Sequence, residues 1–146
     1  MATTSVFNGT SLVVIMNSQV IAHATSCSLS LAIDVPDAST KQSGGWADEI
    51  RGQRSWSVTT DGLATVVPGA LASYVSTDEL MIAASAGTTV TLKFTTVNGT
   101  TEVAGDVYWS GTAFIESVDM TADMENPVTY SVSFKGTGAL ATGTNA

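Results

Sequence analysis

The side chains that could do chemistry in this sequence are few, and their spacing gives them little to work with. His23 is the only histidine and Cys27 the only cysteine. Four residues apart on an extended chain they share a face, as a Cys-His nucleophilic pair would require. That face also carries Ile21, Leu29, Leu31 and Ile33. An apolar setting makes His23 a core histidine and Cys27 a reduced, buried small hydrophobe. Asp34 with Asp37, and Asp119 with Asp123, offer carboxylate pairs to calcium or to glycoside hydrolysis. Neither pair sits in an EF-hand loop, and acids on the polar face of a strand are commonly just solvated. No G-x-S-x-G elbow and no zinc-spaced Cys or His cluster occurs. Gly136-Thr137-Gly138-Ala139-Leu140-Ala141 fits a dinucleotide fingerprint loosely, without the strand-loop-helix setting that gives the motif its meaning. Trp46, Trp56 and Trp109 suggest a carbohydrate platform, but Trp56 and Trp109 fall on the apolar sides of their segments. Only Trp46 is free to act as a contact residue. The expectation is a protein with no catalytic residues, no metal and no cofactor.

The elements that position these residues are strands. Val128, Tyr130, Val132 and Phe134 alternate with Thr129, Ser131, Ser133 and Lys135, the period of a half-buried strand. Val90, Leu92 and Phe94 alternate with Thr and Lys up to Asn98-Gly99, predicting a hairpin with residues 103–110. There Val107 and Trp109 share one face and Asp106 and Tyr108 the other. A turn at Gly111 is expected to lead into another strand, with Phe114, Val118 and Met120 on one side and Ser117, Asp119, Thr121 and Asp123 on the other. Asn126-Pro127 then turns the chain. Nearer the start, residues 11–16 and 20–35 read as strands about Asn17-Ser18, and 54–61 as a further strand with Trp56 and Val58 inward. Only 77–86 reads as helix, with Thr77 as cap, Asp78 and Glu79 in the first turn and Gly87 as the stop. The predicted fold is mainly β, an antiparallel sandwich or open barrel with one short helix. It forms a single domain over 1–146, with a long loop at 34–53 and a flexible tail at 139–146. A loop that long inside a compact domain is usually either disordered or functional.

Composition narrows the function. The 146 residues carry 13 acidic and 5 basic side chains, a formal charge of -8, and only 12% are charged against 44% hydrophobic. So few Lys and Arg exclude tight nucleic-acid binding. So few charges of either sign imply surfaces buried against partners, or exposed strand faces of uncharged residues. Ser and Thr supply about a quarter of the chain. No apolar run reaches the length of a membrane-spanning helix, and the first basic residue, Lys41, comes too late for an export signal. The sequons at Asn8 and Asn98 therefore read as Asn-Gly turns. Ser28, Ser30, Ser55, Ser57, Thr59, Thr89, Thr91, Thr95, Ser117, Thr121, Thr129, Ser131 and Ser133 predict a sheet surface of small hydroxyls, with Asp61, Asp106, Asp119 and Asp123 among them. A smooth, mildly negative face of this kind repels phosphate and suits the wall of a channel.

Several segments together resemble the major tail proteins that build the tail tubes of long-tailed bacteriophages. They are Val6-Phe7-Asn8-Gly9-Thr10, Ala24-Thr25-Ser26-Cys27-Ser28-Leu29-Ser30 leading into Asp34, the stretch from Lys41 to Trp46, Gly52-Gln53-Arg54-Ser55-Trp56-Ser57, Asp61-Gly62-Leu63, Asn126-Pro127-Val128-Thr129-Tyr130-Ser131 and Gly136-Thr137-Gly138. Each piece is common, but their order and spacing over nearly the whole length are more specific. The resemblance implies a β-sandwich protomer that forms hexameric rings stacked into a hollow tube in the virion tail. It implies a structural protein without enzymatic activity or cofactor, assembled in the host cytoplasm on a tape measure protein, with a tail terminator and distal tail or baseplate proteins at its ends. DNA passes through without specific binding, and there is no membrane insertion. On this reading Asp106, Ser117, Asp119, Thr121 and Asp123 are candidates to face the lumen. Lys41, Trp46, Asp48, Glu49 and Arg51 are candidates for contacts between subunits, on the expectation that nothing local stabilises the long loop. The alternative is a non-enzymatic β-sandwich binding module, a virion decoration or carbohydrate-binding domain that uses Trp46.

Overall fold

Alternation of apolar and small polar side chains makes each strand two-faced, and one curled sheet buries the apolar faces together. The structure, a computed structural model, describes residues 9, 12–21, 23–64, 74–98 and 101–146. The elements are β1 (Leu12–Met16), β2 (Gln19–Ile21), β3 (Ala24–Ile33), β4 (Arg54–Leu63), β5 (Tyr74–Val75), α1 (Thr77–Ala86), β6 (Val90–Asn98), β7 (Thr101–Glu102), β8 (Val107–Thr121) and β9 (Thr129–Thr144). The strands form a single sheet in the order β3-β4-β9-β8-β6-β1-β2-β5, with β7 on β6. All neighbours are antiparallel except β2 and β5.

The sheet curls without closing. The edge strand β3 comes into contact with β1, five places away in the strand order. Val14, Leu92, Trp56, Val58, Val132, Phe134 and Leu80 of α1 share one core. Each such side chain taken fully out of water stabilises the fold by about 1.5–3 kcal/mol. The helix lies where the sequence places it. Its cap is Ser76 rather than Thr77: the Ser76 hydroxyl accepts from the Glu79 amide, and the Glu79 carboxylate accepts from the Ser76 amide at 2.8 Å. Gly87 ends it at φ 67. No helix among the described residues is long and apolar enough to cross a membrane.

Four expectations are corrected. Residues 20–35 are not one strand, since β2 and β3 are separated by a tight turn in which His23 takes φ 52 and is exposed rather than in the core. Gly111 is not a turn: β8 runs straight through it with a register shift between Ser110 and Thr112. A Cβ there would collide with the Trp56 ring, so the glycine makes room for an indole. A second shift, between Ile115 and Ser117, sets the inward side of β8 as Ala113, Ile115 and Val118 and leaves Phe114 exposed. The tail at 139–146 is not loose. Residues up to Thr144 continue β9 against the start of β8, and Asn145 is buried, its side-chain amide donating to Thr95 Oγ1 at 2.8 Å and to the Val103 carbonyl at 3.1 Å. The expected turns at Asn8-Gly9 and Asn98-Gly99 fall at or outside the limits of the described residues.

Candidate channel face and assembly surfaces

β3, β4, β9 and the second half of β8 form a four-stranded layer whose outer side is mostly hydroxyl. Its rows follow from the register. Ser26, Asp61, Ser131 and Asp119 lie side by side, then Ser28, Thr59, Ser133 and Ser117, then Ser30, Ser57, Lys135 and Phe114. The same strands turn Cys27, Thr60, Val132 and Val118 inward in one row, and Leu29, Val58, Phe134 and Ile115 in the next. Period two alone thus separates a smooth polar wall from a packed core. Asp61 accepts a hydrogen bond from Ser26 Oγ at 3.1 Å. It stands two strands from Asp119, about 10 Å away. Lys135 is the one cation within these rows.

Of the five residues expected to face a lumen, Ser117, Asp119 and Thr121 lie on β8 and are exposed; Ser117 and Asp119 belong to the outer rows. Asp123 is exposed in the turn beyond β8. Asp106 does not belong with them. It precedes β8, is buried, and accepts from the Thr96 hydroxyl, while its backbone carbonyl accepts from the Asn145 amide at 2.9 Å. It fastens the carboxy-terminal end of β9 rather than lining a surface, as does Thr95, which was expected on the hydroxyl face but is buried and accepts from Asn145. Asp61 takes its place on the outer face; its alternation with Thr60 and the buried Gly62 was the signal that placed it there. Among the described residues no group of three or more side chains is placed to ligate a metal.

Among the described residues the layer has two margins with no strand beside them. β3 is the end strand of the sheet, and β8 beyond Ala113 has no pairing to β6. Leu31 and Ile33 on β3 are 54% and 40% exposed. A long apolar edge strand of this kind is an invitation to pair with another chain.

The 34–53 segment is an arm with its own hydrogen bonds, contrary to the expectation that nothing local holds it. It prolongs the β3-β4 hairpin: the Asp34 amide donates to the Gln53 carbonyl at 2.8 Å, the Ile50 amide to Pro36 at 3.1 Å, and the Ala38 amide to Asp48 at 2.7 Å. Asp37 bridges to Glu49, and its carboxylate takes both the amide and the hydroxyl of Ser39, which hold its pKa below the usual carboxylate value. Gly44 and Gly45 supply the positive φ angles of the tip. Lys41, Trp46, Asp48, Glu49 and Arg51 are all exposed on this arm, Trp46 by 82%. At its base lies a groove of about 690 Å³, walled by Leu29, Leu31, Trp56, Trp109, Arg51 and Arg54 among others. Trp109 was expected in the core; it packs on Phe94 but stays 36% exposed at the groove.

The profile of the phage tail tube protein family matches residues 6–142. The chain belongs to that family. Its members are structural rather than catalytic, so the tail tube chain is a structural protein and not an enzyme. No match to this tail tube chain occurs among curated protein sequences. Among solved structures it is similar to a chain of the virion of a native gene transfer agent particle, at a TM-score of 0.74 and 20% identity over 94% of this chain and 99% of the other. It is similar to the tail of an empty gene transfer agent particle refined with C6 symmetry, at 0.74 and 17% over 97% and 100%. It also matches the SPP1 tail tube, at 0.68 and 13% over 94% and 79%. At these identities the likeness establishes the fold.

Proposed function

We propose that six copies of this chain close into a ring whose inner wall is the outer face of β3, β4, β9 and the second half of β8, and that rings stack into a conduit for the genome. The observation that carries this is the four-stranded, mostly hydroxyl layer that, among the described residues, has a margin without a neighbouring strand on each side. The β3 edge of one copy pairs with the margin of β8 in the next, a heterologous contact that closes on itself. Sixfold closure follows the C6 symmetry of the similar gene transfer agent tail. Six such layers, at about 4.8 Å between strands and a tilt of about 35–45°, close into a barrel roughly 45–52 Å across, wide enough for a duplex. The wall is Ser, Thr and Asp with a single Lys and a single Phe per copy in the three outer rows, so moving phosphates meet little that can hold them.

The arm, with Trp46 and Ile50 exposed, then lies on a neighbouring subunit or ring, and its apolar side chains are covered on assembly. Assembly in the host cytoplasm on a tape measure protein, with a terminator at one end and baseplate or distal tail proteins at the other, completes the reading. Negative-stain microscopy of the purified chain tests it. Rings or tubes with a central channel are expected, and a protein that stays monomeric at high concentration and binds glycans through Trp46 would support the binding-module alternative instead.

A further inference from the structure

The most exposed large apolar side chain among the described residues is Met124, at 91%. It stands at the tip of the β8-β9 turn, where the Asn126 amide donates to the Asp123 carbonyl at 3.4 Å. Asp123 and Glu125 flank it, both exposed. Glu125 holds φ 70, the left-handed position that this kind of turn normally gives to glycine or asparagine. The turn is thus an apolar knob between two carboxylates, held out from the end of the sheet.

A site of the opposite character lies at the other end of the same strands. The groove at the base of the arm has Trp56, Trp109, Leu29 and Leu31 for its apolar walls and Arg51 and Arg54 at its rim. These are the only two arginines in the chain, both are exposed, and among the described residues neither forms an ion pair. The groove sits by the start of β4 and the turn follows the end of β8. About nine strand residues, roughly 30 Å, separate them. No copy can fill its own groove with its own turn.

We infer that the 123–126 turn of a subunit in one ring docks in the arm-base groove of a subunit in the next. Met124 packs on the exposed Trp109 and Leu31, above the buried Trp56, and Asp123 and Glu125 meet Arg51 and Arg54. The chemistry matches on both counts. An unbranched thioether adapts to an irregular aromatic groove and makes favourable sulfur-ring contacts. Carboxylates opposite guanidinium groups fix the register. Because knob and groove are at opposite ends, the contact is head-to-tail and propagates without closing, as a stacked tube requires. It rests on the stacked-ring reading above and adds which residues join ring to ring.

Charge exchange in the full chain tests it by microscopy. Arg51→Glu with Arg54→Glu, and separately Met124→Asp, are expected to leave rings that no longer stack. Combining Arg51→Glu and Arg54→Glu with Asp123→Arg and Glu125→Arg is expected to restore tubes. All of the substituted side chains except the groove rim stand clear of the core, and circular dichroism confirms the fold of each variant. Tubes of normal length from either disrupted variant, or a combined variant that still gives only rings, would overturn the contact. A wild-type chain that formed no rings would instead overturn the stacked-ring reading on which it rests.

Discussion

Trp56 ties several otherwise odd residues together. Its indole lies against Gly111 and Gly136, where any Cβ would strike the ring, and its Nε1 donates to the Gly138 carbonyl at 3.2 Å. The two glycines of the Gly136-Thr137-Gly138 stretch are therefore the seat of a buried tryptophan and not a nucleotide loop. Trp56→Ala is expected to cost about 3–5 kcal/mol. Gly136→Ala is expected to cost about 1–3 kcal/mol by overpacking and to lower Tm by several degrees. A Gly136→Ala chain that melts with the wild type would show that the indole can move aside.

Two buried protons set an alkaline limit. Burial above all holds the Tyr130 phenol well above its ordinary value of 10 and pushes the Cys27 thiol above 9. In the unfolded chain both ionise at their ordinary values. Below about pH 8 both are protonated in either state and stability is unaffected; above it the unfolded chain holds fewer protons than the folded one, so stability falls as pH rises. Melts between about pH 8 and 11 should show this decline, and Tyr130→Phe should flatten it. An equally steep decline in Tyr130→Phe would remove Tyr130 as its cause.

At the scale of elements, the arm is the part whose role and stability separate most cleanly. It prolongs a hairpin, contributes nothing to the main core, and exposes Val35, Trp46 and Ile50. Deleting 41–48 removes the tip without touching β3 or β4, so a folded chain that forms no tubes is expected by circular dichroism and microscopy. Tubes of normal length from the deleted chain would leave the arm without a part in assembly. The arm also marks where reading the sequence reached its limit. Its glycines, Pro36 and acidic residues break period two, so it reads as a loop, yet its backbone pairs through single bridges that no side-chain pattern announces. The same holds for Gly111: glycine after a strand signals a turn, and only the distant Trp56 reveals that the position is a bulge. By contrast β4, the main part of β9 and the helix are legible because period-two alternation or a cap, acidic first turn and glycine stop coincide in one segment. Of the surface residues, Ser117, Asp119 and Asp61 could be read from alternation, whereas the burial of Asp106 depends on Thr96 and on Asn145 arriving from the far end of the chain.

For the whole molecule, the charge of -8 acquires a location. Asp61 and Asp119 stand on the face assigned to the channel and Asp123 at its rim, so the proposed six-membered ring would repeat them six times, while both arginines stand at the groove beneath the arm. Replacing Asp61 and Asp119 with Lys should leave tube formation intact but lower genome delivery by about tenfold or more, because phosphates would now be held at the wall. Wild-type infectivity of such particles would show that wall charge does not matter. The most direct measurement is a helical reconstruction of the assembled tube at side-chain resolution. Ser117, Asp119, Ser131 and Asp61 are expected on the inner wall, with β3 of each subunit hydrogen-bonded to β8 of the next. A tube whose lumen is lined by any other face, with these residues turned outward or buried between subunits, would contradict the assignment.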